Sequence, residues 1–229
     1  MGAAKALVIG ASGGIGAAVA TALAERGASV VRLSRGSTPA LDLTDDRSIA
    51  DAAAALGGDV PFDLIFLATG ILHGNGVKPE KTLREIDGAA LDRLFRINAT
   101  GPAVVMRHFL PLLARDRRAI FAVLSARVGS IGDNRLGGWV GYRASKAALN
   151  QIVRTLSIEL ARIMPHALLV ALHPGTVETA LSAPFRRGVV SDQLFTSAQA
   201  AARLLEVLDA LDAADNGHCL DWAGKRIDP

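Results

Sequence analysis

At 229 residues the chain has the length of one domain, and half of its residues are hydrophobic, which is enough for a sizeable buried core. A formal net charge of +3, without a run of lysine and arginine interleaved with aromatic residues, argues against nucleic acid as a partner. The single cysteine, Cys219, cannot form an internal disulfide, and no apolar stretch is long enough to span a bilayer. We therefore expect a cytoplasmic protein that forms one domain over residues 1–229 and does not bind membranes.

Short aliphatic runs alternate with longer amphipathic segments along the chain. Taken in order, the runs predict strands over residues 6–9, 29–33, 62–67, 119–124, 167–172 and 217–222. The segments between them predict helices over residues 14–26, 45–56, 87–114, 142–164 and 197–211. This alternation indicates an α/β fold with a right-handed, doubly wound parallel sheet and helices on both faces.

A glycine-rich turn joins the first predicted strand to the first predicted helix. It consists of Gly10, Ala11, Ser12, Gly13, Gly14, Ile15 and Gly16. Glycines let the backbone turn tightly and approach a pyrophosphate at the N-terminus of a helix. The spacing Gly-x-x-x-Gly-x-Gly differs from the commoner Gly-x-Gly-x-x-Gly, but its place at the first strand–helix junction predicts a dinucleotide cofactor.

The residues after the second predicted strand indicate which dinucleotide binds. NAD sites place an acid there for the ribose hydroxyls, whereas an arginine can receive the 2′-phosphate of NADP. This chain has Ser34 and Arg35, and its next acid is Asp42. A solvated arginine in a surface turn is the alternative, but a guanidinium beside a hydroxyl predicts NADP(H) over NAD(H). Asp42 is expected either to contact the adenine or to stabilise a turn.

Tyr142 and Lys146 are four residues apart in a predicted helix, so they share one face, one turn apart. A tyrosine hydroxyl has a pKa of about 10 and is a poor acid or base at neutral pH. A fixed ammonium beside it favours the phenolate, by about 4 kcal/mol at ~4 Å and an effective dielectric constant of ~20. We therefore expect the pKa of Tyr142 to be lowered, so that it can act as an acid or base.

Together these motifs resemble the short-chain dehydrogenase/reductase family over essentially the whole chain. The resemblance rests on the glycine turn, on Asp42, on Asn98 within residues 97–101, on the Tyr142/Lys146 pair and on residues 174–179. Within the family, residues 129–150 are similar to the C-factor or sniffer-like carbonyl reductase branch. The resemblance implies a Rossmann-type domain with a mostly seven-stranded parallel sheet, assembled as a homodimer or homotetramer.

The resemblance also implies roles for individual residues. Tyr142 would exchange a proton with the substrate oxygen, and Lys146 would lower its pKa and bind the nicotinamide ribose. Asn98 would hold a water of the proton relay. Further cofactor contacts would come from Leu43, Ala68, Thr69, Gly70, Pro174, Gly175, Val177 and Thr179, the last bonding the carboxamide.

Two positions depart from the family's pattern. Residues 67–70 read Leu-Ala-Thr-Gly where the family often carries Asn-Asn-Ala-Gly, so some structural hydrogen bonds must come from elsewhere. The position of the substrate-binding serine holds Ala126, with Ser125 next to it and Ser130 a few residues on. We predict that Ser125 binds the substrate oxygen, because it directly follows a strand; a strand-end role for it, with Ser130 at the substrate, is the alternative.

The motifs and the resemblance together predict an NADP-dependent oxidoreductase that transfers a hydride between the nicotinamide and a carbonyl or alcohol substrate. The histidines show no metal-ligand spacing, so we expect no metal, and residues 180–195 should form a lid over the substrate. One alternative is a C-factor-like signalling protein that binds the cofactor with little or no catalysis. Another is an epimerase or dehydratase on the same scaffold.

Overall fold

The computed structural model describes residues 5–74, 76–185 and 194–229. Its strands are β1 (Lys5–Ile9), β2 (Ser29–Leu33), β3 (Leu64–Leu67), β4 (Ala119–Leu124), β5 (Ala167–His173), β6 (Thr176–Val177), β7 (Leu194–Phe195) and β8 (Cys219–Asp221). Six of them form a parallel sheet in the order β2-β1-β3-β4-β5-β8, and β6 pairs with β7 in a separate two-stranded sheet. The doubly wound fold is confirmed, whereas the main sheet has six strands in the described residues and not the expected seven.

The helices are α1 (Gly14–Glu25), α2 (Asp46–Ala55), α3 (Gly88–Phe95), α4 (Gly101–Phe109), α5 (Val140–Ile163) and α6 (Ser197–Ala210). The single helix predicted over residues 87–114 is wrong, because a π-helical turn at Arg96–Thr100 separates α3 from α4. Pro102 has no N–H, so it cannot form the α-helical hydrogen bond to the carbonyl of Asn98. Such π turns are frequent at functional sites, and here the turn contains Asn98.

The sheet is buried on both faces, as its continuous aliphatic strands require. Every residue of β3 and β4 is buried. One core cluster packs alternate strand residues against α2, α4 and α5, and a second packs the others against α1 and α6. Because β2 and β3 lie on opposite sides of β1, the carboxyl ends of β1 and β3 open into the crevice where ligands of such folds bind.

A groove of ≈ 590 Å³ separates α4 from α5 on the outer surface. Ile158 and Ile163 on α5 are exposed by 46% and 60%. The predicted homodimer or homotetramer stays a prediction. None of the helices within the described ranges combines the length and the apolar character needed to cross a membrane.

Candidate active site

A cavity of ≈ 330 Å³ opens at the carboxyl ends of β1, β2 and β3. Its walls include most of the cofactor-binding residues predicted in the first half of the chain. Those residues are Gly10, Ser12, Gly13, Ser34, Arg35, Asp42, Leu43, Ala68, Thr69 and Gly70. Residues from separate parts of the sequence therefore converge on one crevice, as the strand-end argument requires.

Two glycines of the turn, Gly10 and Gly16, have no room for a Cβ. Gly10 has a φ of +87°, and a Cβ there would lie 2.7 Å from the carbonyl oxygen of Ala68. A Cβ on Gly16 would lie 2.3 Å from the carbonyl oxygen of Gly10. Gly13 caps α1 without a side-chain hydrogen bond, so the first N–H groups of that helix remain for an anion at the end of the cavity.

Ser34, Arg35 and Asp42 follow the end of β2 along one wall of the cavity. Arg35 is exposed, and Ser34 Oγ accepts a hydrogen bond from the N–H of Gly36 at 3.2 Å. Asp42 accepts hydrogen bonds from the N–H and the hydroxyl of Thr44 at 2.8 and 2.7 Å, and these bonds lower the pKa of its carboxyl. Asp42 thus stabilises a turn and lines the cavity at the same time.

Thr69 has a buried hydroxyl without a hydrogen-bond partner in the described residues. A buried polar atom of this kind calls for an explanation, and an absent ligand is one. Thr69 lies in the cavity wall, and its methyl carbon would be 3.0 Å from a Cβ on Gly10. The unpaired hydroxyl of Thr69 and the tightly packed glycine turn fit a bound dinucleotide.

Tyr142 and Lys146 lie on the first two turns of α5, and both are buried. The Lys146 Nζ atom is 5.9 Å from the centre of the Tyr142 ring and donates to the carbonyl oxygen of Leu124 at 2.9 Å. Gly70 lines the cavity and lies next to Lys146, since a Cβ there would be 3.4 Å from Lys146 Nζ. The predicted acid–base pair is therefore close to the predicted cofactor cavity.

Burial dominates the pKa of both groups. It raises the pKa of Tyr142 to about 12, so the predicted lowering is wrong for the protein without a bound cofactor. Burial lowers the pKa of Lys146 to about 8. The nearby Cys219 opposes this lowering only as a thiolate, and burial raises the pKa of Cys219 to about 12, so its thiol is neutral. The loss of hydration thus outweighs the ammonium–phenolate attraction.

Asn98 is fully buried, and its side chain holds the segment that follows β3. Its Oδ1 accepts from the N–H of Ile71 and its Nδ2 donates to the carbonyl oxygen of Ile71, both at 2.9 Å. Nδ2 also donates to the hydroxyl of Ser145 at 3.1 Å. Ser145 lies between Tyr142 and Lys146 in α5. Asn98 therefore connects the cavity wall to α5, the helix that carries Tyr142 and Lys146.

The residues predicted for the nicotinamide follow β5. Gly175 has a φ of +77°, and a Cβ there would lie 2.8 Å from the ring of Phe195. Val177 is buried in β6, and the methyl carbon of Thr179 would be 2.9 Å from a Cβ on Gly14. Pro174 precedes them, half-buried. This segment thus reaches back to the start of α1, beside the glycine turn.

The chain matches known proteins over most of its length. Residues 10–216 match the family described as "Enoyl-(Acyl carrier protein) reductase". The chain is 31% identical over 223 residues to the 1-hydroxy-2-glutathionyl-2-methyl-3-butene dehydrogenase of a Rhodococcus species, and the match covers 92% of this chain and 93% of that protein. The chain belongs to the short-chain dehydrogenase/reductase family. This membership supports NAD(P)-dependent oxidoreduction.

Two further proteins show the range of this short-chain dehydrogenase/reductase's relatives. C-signal of Myxococcus xanthus is 34% identical over 146 residues, covering 63% of this chain and 82% of that protein. The crystal structure of a short-chain dehydrogenase/reductase from Burkholderia multivorans with bound NADP is 27% identical, with a TM-score of 0.82 over 99% of this chain and 100% of the other. The predicted family is confirmed, and C-signal is a relative of the kind that the predicted branch requires.

The two serines considered for binding the substrate, Ser125 and Ser130, both have hydrogen-bonded hydroxyls. Ser125 Oγ donates to Oδ1 of Asn150 at 2.6 Å. Ala126 packs in one apolar cluster with Tyr142. Ser130 lies later in the same loop, and its Oγ accepts a hydrogen bond from the N–H of Asp133 at 3.0 Å. The role of Ser125 at the substrate stays a prediction, and it requires the hydroxyl to leave Asn150.

Some residues of this short-chain dehydrogenase/reductase's cavity were not predicted. They are Ile9, Leu41, Thr44, Ile71, Arg93 and Ile97. Arg93 and Ile97 are four residues apart, so they share a helix face next to Asn98, and that spacing could have indicated them.

Part of the predicted lid, residues 186–193, lies outside the described residues. At the start of the lid, the carbonyl groups of Ala180 and Leu181 accept hydrogen bonds from His73 Nε2 at 3.2 and 3.1 Å. Within the described ranges no group of three or more His, Cys, Asp or Glu side chains could hold a metal ion.

Proposed function

We propose that this chain is an NADP(H)-dependent carbonyl reductase in which Tyr142 gives a proton to the substrate oxygen. The observation that carries the proposal is the position of Gly70. This residue lines the cofactor cavity, and a Cβ on it would lie 3.4 Å from the Nζ of Lys146. A dinucleotide in the cavity would therefore extend directly toward the Tyr142/Lys146 pair.

The choice of NADP(H) rests on two cations in the cavity wall. Arg35 follows β2 and Arg93 lies on α3, and both line the cavity. A 2′-phosphate at this end would find a guanidinium suited to bidentate hydrogen bonding and the hydroxyl of Ser34. The relative from Burkholderia multivorans was solved with bound NADP, which agrees with this choice. When bound, the cofactor supplies the hydride.

The protonation states suit reduction. With a pKa raised to about 12, Tyr142 holds its proton throughout the physiological range and can donate it to an oxygen that becomes more basic as the carbonyl is reduced. Lys146, with a pKa of about 8, is mostly protonated at neutral pH and stabilises the phenolate that remains. Tyr142 thus carries the transferable proton, and both the charge that develops on the substrate oxygen and the ammonium of Lys146 favour its release.

Asn98 supports the pair by holding the backbone around it. Its side chain is occupied by Ile71 and Ser145, so a water of the relay would have to use the main-chain carbonyl. Pro102 removes the α-helical partner of that carbonyl. We propose that this carbonyl accepts a hydrogen bond from the water that passes protons to Lys146.

The test has two stages. Fluorescence titrations with NADPH and with NADH measure the two dissociation constants, and we expect the NADPH constant to be lower. Consumption of NADPH is then followed with an aliphatic aldehyde, an aromatic ketone and a quinone, and reduction of at least one of them supports the proposal. Tighter binding of NADH would overturn the choice of cofactor, and conversion of a substrate without net NADPH consumption would indicate an epimerase or dehydratase.

The likeness to C-signal favours one alternative, a signalling protein that binds the cofactor without turnover. The intact Tyr142, Lys146 and Asn98 argue against it, since a binding protein has no need of a buried acid–base pair. NADPH binding together with no reduction of any of the three carbonyl classes would favour this alternative.

A further inference from the structure

The helix that carries Tyr142 starts on a residue that does not cap it. Trp139 stands at the N-cap of α5 with a φ of +55° and no side-chain hydrogen bond to the helix. The first N–H groups of a helix have no partners within it and need acceptors from elsewhere when they are buried. Gly141 and Tyr142 are both buried, so this helix end depends on another part of the chain.

Glu80 supplies the acceptors. Its two carboxylate oxygens lie 3.2 and 3.3 Å from the N–H of Gly141, and its main-chain carbonyl accepts from the N–H of Trp139 at 2.6 Å. The residue is only 3% exposed. A carboxylate is favourable at the N-terminus of a helix, where the backbone dipoles leave partial positive charge. Glu80 thus caps α5 from a separate segment of the chain, and the N–H that it binds belongs to Gly141, the residue before Tyr142.

The opposite side of the same turn is fixed by packing. A Cβ on Gly141 would lie 2.6 Å from Leu94 and 2.7 Å from Leu91, both on α3, and 2.9 Å from Oε1 of Glu80. The first turn of α5 is therefore held between α3 and the Glu80 carboxylate, with no space to shift toward either. The geometry of this turn decides where the Tyr142 hydroxyl lies.

The segment that ends at Glu80 is also fixed at its start. Ile71 is bound by the side chain of Asn98, and His73 is hydrogen-bonded through Nε2 to the carbonyl groups of Ala180 and Leu181. Since a carbonyl has no proton, the imidazole must be the donor in both contacts. The segment after β3 thus joins Asn98, the start of the predicted lid and the first turn of α5.

We propose that Glu80 is a positioning residue for proton transfer, which caps α5 through the Gly141 N–H and so fixes the Tyr142 hydroxyl. The proposal rests on the proposed function for its kinetic effect, and on the hydrogen bonds of Glu80 alone for its structural effect. A misplacement of a reacting group by about 1 Å can lower a rate by about 100-fold, so a carboxylate that never touches the substrate can still control turnover.

The kinetic test compares Glu80→Ala, Glu80→Gln and the control Glu85→Ala. Glu85 is exposed, and its carboxylate accepts a hydrogen bond from the N–H of Lys81 at 2.6 Å. We expect Glu80→Ala to lower kcat by about 10- to 100-fold, while the dissociation constant of NADPH changes less than about twofold. Glu80→Gln keeps an oxygen that can accept from Gly141 and should restore most of kcat. An unchanged kcat in folded Glu80→Ala, or a loss in Glu80→Gln as large as in Glu80→Ala, would overturn the proposal.

A second measurement needs no substrate. Trp139 and Trp222 are the only tryptophans, so Trp222→Phe leaves Trp139 as the one reporter at the start of α5. In this background Glu80→Ala should increase acrylamide quenching of Trp139, and Glu80→Gln should not. If the unaltered protein reduces no carbonyl compound, the proposed function fails while this measurement still decides whether Glu80 fixes the turn. Should Glu80→Ala not fold, Glu80→Asp, whose carboxylate is one methylene shorter, replaces it in both measurements.

Discussion

The cofactor side and the substrate side of this short-chain dehydrogenase/reductase differ in how their residues are held. On the cofactor side, main-chain geometry dominates: Gly10 and Gly16 have no room for a Cβ, and α1 begins without a side-chain cap. On the substrate side, side-chain orientation dominates: Ser125 is bonded to Asn150, while Ala126 packs beside Tyr142.

This difference explains which predictions could be made from the sequence. Glycine spacing and strand ends specify a backbone path, and a backbone path specifies a phosphate site. Which of two adjacent residues at a strand end faces the substrate depends on the side-chain alternation of the strand and on the partners within reach. The predictions below use this contrast, from the largest expected effect to the smallest.

Removing the phenol should separate chemistry from cofactor binding. Tyr142→Phe deletes the proton donor, so we expect kcat to fall by about 10²- to 10⁴-fold, the range of general acid–base catalysis. The dissociation constant of NADPH should change little, because the cavity proposed to hold the cofactor is lined by other residues. Steady-state kinetics and a fluorescence titration of the same preparation measure both quantities.

The same variant serves as the blank for a direct measurement of the tyrosine pKa. Tyr142 is the only tyrosine of the chain, so the ultraviolet signal of phenolate formation reports on this residue alone. Without cofactor we expect a pKa of about 12, because burial disfavours the phenolate. A phenolate that forms near neutral pH in the free protein would contradict the dominance of burial over the attraction to Lys146.

On the cofactor side, Arg35→Ala should change the preference between the two dinucleotides. A hydrogen bond to a charged group contributes about 1.5–3 kcal/mol, so NADPH binding should weaken by about 10- to 100-fold. NADH binding should remain within about twofold, since it has no 2′-phosphate to lose a contact. Arg32→Ala, at an exposed position of β2, is the matched control for the removal of one positive charge. If Arg35→Ala raised the dissociation constants of NADPH and NADH equally, Arg35 would not be a ligand of the 2′-phosphate.

The sequence predicted the elements of the sheet to within a few residues, because aliphatic runs bounded by glycine and polar turns identify buried parallel strands. It did not predict the π-helical turn around Asn98, since hydrophobic periodicity continues through it and only the missing N–H of Pro102 disturbs the hydrogen bonds. The predicted lowering of the Tyr142 pKa is wrong for a related reason. A charge pair can be found from spacing, but the loss of hydration depends on everything that covers the pair.

The buried ammonium of Lys146 should lower the free energy of unfolding, although the proposed reaction needs it. Its pKa falls from 10.5 to about 8 on burial, so below pH 8 the folded state carries an ammonium that the unfolded chain would hydrate better. The difference corresponds to about 3 kcal/mol, and the hydrogen bond to Leu124 offsets part of it. We therefore expect Lys146→Met to raise the free energy of unfolding by about 1–3 kcal/mol at pH 7 in urea denaturation, while abolishing turnover.

The pH dependence follows from the sign of the shift. Because the folded-state pKa is the lower one, the penalty is full below about pH 8 and disappears as the pH rises from 8 toward 10.5. The advantage of Lys146→Met should shrink over that range. A variant less stable than the unaltered protein at pH 7 would show that the contacts of the ammonium outweigh its burial.

The smallest effect is expected where the two sides differ most, at Ser125 and Ala126. Ser125→Ala removes both the hydroxyl predicted to bind the substrate oxygen and the donor to Asn150, so we expect kcat/KM to fall by about three- to tenfold and the free energy of unfolding by about 1 kcal/mol. Ala126→Ser places a hydroxyl in the cluster that contains Tyr142, and it should change kcat/KM by less than about threefold if Ser125 already binds the substrate oxygen. A large loss of turnover in Ser125→Ala with no gain in Ala126→Ser would mean that Ser125 leaves Asn150 to bind the substrate. A gain in Ala126→Ser without a loss in Ser125→Ala would mean that Ser125 serves only as the partner of Asn150 and that the substrate oxygen lies near Ala126. Adjacent residues of an extended segment face opposite sides, so the two variants report on different sides of the same strand end.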